Sequence, residues 1–142
     1  MKNFLLSILL VSSSTVFAQV GTQPSVVEPT ASLASVMKAM SSSLRKIAAQ
    51  VSDANQNAAS EQLALDFVKN VEASKAFTPK TIKDLPADQQ DAKKQEYIKM
   101  LDDTAQLGKD LASAFHNNDN KLANDILGKL STSKKEGHVQ FK

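Results

Sequence analysis

The chain has 142 residues, 42% hydrophobic and 23% charged, with a formal net charge of +2. That balance suits one globular domain and excludes a purely disordered tail, and its mixed charges give no footprint for nucleic acid. Cysteine is absent, which excludes disulfides, thiolate metal sites, cysteine nucleophiles and cofactors linked through C-x-x-C-H.

The N-terminus reads as an export signal. Lys2 supplies a short basic region, residues 4–11 an apolar one, and Val16-Phe17-Ala18 a cleavage site ending in a small residue. The apolar run is too short for a permanent anchor. Residues 1–18 are therefore expected to be removed, leaving a soluble chain without stable membrane insertion. The signal has a bacterial look, which points to the periplasm. Residues 19–30 carry Gly21, Pro24 and Pro29 without helical spacing and read as a flexible leader.

From residue 31 the pattern turns helical. Ser32 is a suitable N-cap, and Leu33, Met37, Met40, Leu44, Ile47 and Val51 follow at steps of four and three, the seam of a packed helix. A polar turn covers 52–57. A second helix is expected over about 58–76, with Leu63, Phe67 and Val71 on one stripe, stopped by Pro79. After a connection over 77–89, a third helix runs from about 90 to 116 and carries Tyr97, Leu101, Ala105, Gly108, Leu111 and Phe115. Residues 116–120 form a turn in which Asn tolerates a left-handed conformation and Asp119 can cap the next helix. The fourth helix carries Leu122, Ile126 and Leu130 and continues toward Phe141. The fold expected for 31–142 is all-α, an antiparallel up-down-up-down four-helix bundle.

Enzyme constellations are missing. The chain has no G-x-S-x-G, no phosphate-binding loop and no H-E-x-x-H, so no enzymatic activity is expected. Asp102 and Asp103 point in different directions on a helix and read as solvated. His116 sits after the third helix, where a cation suits the helix dipole. Taken alone, His138 reads as an exposed tail residue and Met37 as a core methionine. An up-down bundle brings the end of the fourth helix back to the start of the first, placing these two at one end. A thioether and a neutral imidazole facing each other across a gap are suitable axial ligands for a haem iron.

These residues resemble the cytochrome b562 family. The stretch Ala31-Ser32-Leu33-Ala34-Ser35-Val36-Met37 through Leu44-Arg45-Lys46-Ile47 is similar to the family's first helix, with the ligand methionine five residues beyond the polar cap. Residues 101–142 resemble its last two helices, ending on His138-Val139-Gln140-Phe141-Lys142, where the family places its haem-ligating histidine. Lys75-Ala76 and Pro79-Lys80 resemble its connection between helices two and three. The chain departs from the pattern at Gly137, where the family commonly has Tyr, and at Lys134, where Arg is usual. It also has Tyr97 and Leu101 where the family packs two Phe rings.

The resemblance implies an electron-transfer protein holding one non-covalent haem b per chain, with Met37 and His138 as iron ligands. Leu33, Met40, Tyr97 and Leu101 are expected to wall the pocket, and Lys134 and Lys142 to lie near the haem propionates. An unidentified redox protein would be its partner. The competing expectation is a haem-free exported bundle that serves as a binding module.

Overall fold

The structure, a computed structural model, describes residues 32–142; the expected signal peptide and leader lie outside the described residues. Five helices follow one another: α1 (Leu33–Gln50), α2 (Asn57–Ser74), α3 (Lys80–Lys83), α4 (Ala87–His116) and α5 (Asn120–Phe141), with a 3₁₀ turn at Ala54–Gln56. Among the described residues the fold is all-α, with no strand.

The helix ends follow from local chemistry. Ser32 Oγ accepts the Ser35 N–H at 3.1 Å, while Ser35 Oγ accepts the Ser32 N–H at 3.0 Å, so two donors at the start of α1 are satisfied reciprocally. The α4 helix begins at Ala87, three residues before the expected start. Pro86, with φ −52°, stands immediately before it and lacks an N–H to be satisfied. At the other end of α4, Asn118 takes φ 56°, and the Asp119 and Asn118 N–H groups donate back to the carbonyls of Ala114 and Phe115 at 2.8 and 3.0 Å. Asp119 then caps α5 by accepting the Leu122 N–H at 2.9 Å. The connection 77–89 holds one turn of helix, α3, that periodicity does not reveal. Pro79 opens it, and Ile82, 1% exposed, pins it to the core.

Packing is unequal around the molecule. The α2 helix lies against both α1 and α4, and α4 also against α5, whereas α1 and α5 barely touch. Gly108 permits the closest approach: a Cβ there would lie 2.6 Å from Val68 Cγ2 and 3.0 Å from Phe67 Cδ1. The core runs through Ile47, Val71, Leu111, Phe115, Ile126 and Leu130, all buried. Each contributes about 1.5–3 kcal/mol by leaving water.

Polar clamps fix the two ends. Asn57 and Asn120 exchange amide hydrogen bonds at 3.0 and 2.9 Å, and Asn120 Nδ2 also donates to the Val51 carbonyl at 2.6 Å. This joins the end of α1 to the starts of α2 and α5. Away from that end, the Tyr97 hydroxyl donates to the Ser74 carbonyl at 3.3 Å, and Lys75 pairs with Asp102 at 2.5 Å, tying the end of α2 to α4.

Candidate functional site

Where α1 and α5 fail to meet, a cleft of about 470 Å³ opens. Its volume lies within the range of small-molecule and cofactor sites. One lip is the first three turns of α1, through Leu33, Ala34, Met37, Met40, Ser41 and Leu44. The other is the last part of α5, from Leu130 to Phe141, with Lys142 beyond it. The floor comes from Phe67 of α2 and from Tyr97, Met100, Leu101 and Thr104 of α4.

Seven residues singled out from the sequence as pocket or ligand residues line this one cleft, Leu33, Met37, Met40, Tyr97, Leu101, Lys134 and His138, and so does Lys142, expected with Lys134 near the propionates. The seven come from three helices and are separated by up to about a hundred positions along the chain. Met40 is 9% exposed, and Tyr97 and Leu101 are buried. Leu33 and Met37 are half-buried because they face open space across the cleft rather than a packed helix. Lys134 and His138 are exposed at the rim. The α5 helix runs unbroken through Gly137 to Phe141, so His138 is carried on a continuous turn.

The floor is built around Tyr97. Its ring meets Phe141 edge-on, with centroids 5.2 Å apart and planes at 62°, an arrangement favoured by the quadrupoles of the two rings. Lys93 Nζ lies 5.2 Å from the Phe141 centroid on the outer side. Burial raises the Tyr97 phenol pKa, which keeps it a neutral donor to Ser74. The imidazole of His138 is held below its ordinary pKa by partial withdrawal from water, then by the charges of Lys142 and Lys134. It is therefore biased toward the neutral form, whose ring nitrogen has a free lone pair.

Sequence reasoning left out Phe67, Met100 and Phe141 as wall residues. Phe141 lies three residues beyond His138, a spacing that puts both on one helical face. Met100 is found only in three dimensions: its Sδ would lie 3.0 Å from a Cβ at position 137, so the missing side chain of Gly137 makes room for it. His116 sits away from the cleft, exposed, with Nδ1 3.3 Å from Glu61 Oε1. Among the described residues, no three His, Cys, Asp or Glu side chains cluster as a metal site. The soft donors of the cleft are the thioethers of Met37, Met40 and Met100 and the imidazole of His138.

No family model matches the chain, and neither does any curated protein or solved structure.

Proposed function

We propose that the chain is an exported electron-transfer protein of the cytochrome b562 type. One non-covalent haem b would be held in the α1–α5 cleft by Met37 and His138. The observation that carries this reading is the convergence of the seven residues on one mostly apolar cleft, with a thioether on one lip and an imidazole on the other. The donor set fits the group. A methionine sulfur and a neutral histidine nitrogen suit six-coordinate haem iron, and Lys134 and Lys142 at the rim suit its two carboxylates. When bound, haem supplies one-electron redox chemistry.

The chain's own part is binding, orientation and exclusion of water. Phe67, Tyr97 and Leu101 give a dry floor, buried Leu130 adjoins it from α5, and Phe141 braces Tyr97. Lowered basicity keeps His138 available as a ligand at mildly acidic pH. A thioether ligand favours ferrous iron, so a positive potential is expected.

The same reading takes the four long helices as an up-down-up-down bundle, with α3 as an insertion in the second connection. Support comes from the clamp joining the end of α1 to the starts of α2 and α5, and from the tie between the end of α2 and α4. Export to the periplasm rests on residues 1–18; among the described residues no helix is long and apolar enough to cross a membrane.

Titrating the haem-free chain with haemin should give a Soret band that saturates at one equivalent. Failure to develop that band would reject haem as the ligand. A second reading, a haem-free binding module, draws on the cleft walls: three thioethers and three aromatic rings will accept other flat apolar molecules.

A further inference from the structure

Charge is distributed unevenly over this molecule. The α1 and α5 helices, with Lys142, carry eight cations against two carboxylates, whereas α2 and α4 carry five against nine. Both carboxylates of α5, Asp125 and Glu136, line a separate groove on its α4 side. The lips of the cleft are thus left purely basic.

On α1, Lys38 and Arg45 each stand one helical turn beyond a cleft-lining residue, Ala34 and Ser41. On α5, Lys134 and Lys142 line the cleft itself, and Lys135 follows on the outer edge. All five are exposed. None belongs to an ion pair among the described residues, although acidic side chains elsewhere do pair with lysines. Val139, 86% exposed, stands one turn from both Lys135 and Lys142 and adds an apolar contact to this rim. Unpaired charges of one sign around a concave opening focus the field there and steer a partner of opposite sign.

We propose that the basic rim of the α1–α5 cleft is a docking surface for an acidic protein, which covers the mouth and whatever ligand lies within. This rests on the cleft being the working site, and not on haem being its ligand. A protein fits better than the other polyanions. Membrane attachment calls for a band of exposed apolar side chains, and the rim offers Val139 alone. Binding of single-stranded nucleic acid calls for exposed aromatic rings, while Phe67, Tyr97 and Phe141 are buried.

The test is an amide chemical-shift titration of the full chain, both haem-free and after haemin, with a ten-residue polyglutamate peptide as probe. Shifts should cluster on the first three turns of α1 and the last three of α5. Affinity should fall about tenfold when salt rises from about 20 to about 200 mM. Lys38→Glu and Lys135→Glu should each weaken binding about fivefold, and Lys109→Glu on α4 should leave it unchanged. Shifts spread evenly over all lysines, or indifference to the two rim reversals, would overturn the proposal. So would binding of phosphatidylglycerol vesicles through these residues with no response to the peptide. Absence of a Soret band would count only against haem, because the haem-free titration reads the rim directly.

Discussion

Replacing Gly108 by alanine tests the packing that sets the cleft floor. A methyl group there would sit 2.6 Å from Val68 Cγ2 and 3.0 Å from Phe67 Cδ1, against an optimum near 3.5–4.0 Å for two carbons. Phe67 is 3% exposed and Val68 half-buried, and a valine is stiff at χ1, so relief requires α2 and α4 to move apart. Overpacking of this kind costs about 1–3 kcal/mol. Removing a helical glycine returns at most about 1 kcal/mol, leaving a net loss of about 1 kcal/mol. Gly128 provides the control. It is exposed, and a Cβ there meets nothing within 4 Å, so Gly128→Ala should gain about 1 kcal/mol. Urea unfolding of the haem-free chain, with the midpoint read at constant slope, separates the two by about 2 kcal/mol. Equal gains from both alanines would refute the close α2–α4 approach.

Gly137→Ala lies between these cases. The new methyl meets the flexible tip of Met100, Sδ at 3.0 Å and Cε at 3.1 Å. It should change stability by less than about 0.5 kcal/mol alone, and gain about 1 kcal/mol over Met100→Ala in that background; equal effects with and without Met100 would remove the contact. Asn120→Ala should cost about 2 kcal/mol in the same unfolding assay, because it leaves the buried Val51 carbonyl and the Asn57 amide short of partners; a loss below about 0.5 kcal/mol would show the clamp to be idle. His138, its folded-state pKa lowered by partial burial and then by Lys142 and Lys134, should titrate below 6.5 in proton NMR of the haem-free chain. Over the window between that midpoint and 6.5 the unfolded chain binds more protons than the folded one. Stability therefore rises with pH there and is lost as pH falls. A midpoint at or above 6.5 contradicts the assignment.

Apolar spacing was enough to read the long helices, because a stripe at steps of three and four has one structural outcome. It could not say what each stripe faces. In α1 the seam divides: Ile47 and Val51 are buried in the packed core, while Leu33, Met37, Met40 and Leu44 line the cleft. Both sets are read from the same run of residues, since apolarity records removal from water and not the identity of the neighbour. Ser43 was invisible to that pattern, being polar and buried by close packing. The α3 helix has four residues, too few to show a period. Met37 and His138 could be placed at one end by helix count alone. The Met100–Gly137 contact joins positions on two helices, and only packing reveals it. The basic rim was hidden by a net charge of +2, since the acids of α2 and α4 offset it in the sum.

We propose that the Met37 sulfur and the His138 imidazole, on opposite lips of the cleft, bind the same iron. A reduced-minus-oxidised visible spectrum of the haem-loaded chain, repeated for Met37→Ala and His138→Ala, tests it most directly. Sharp low-spin bands are expected in the parent chain, with their loss in each variant and Met40→Leu unchanged. Low-spin bands that survive both ligand substitutions would show the iron to be held by other residues.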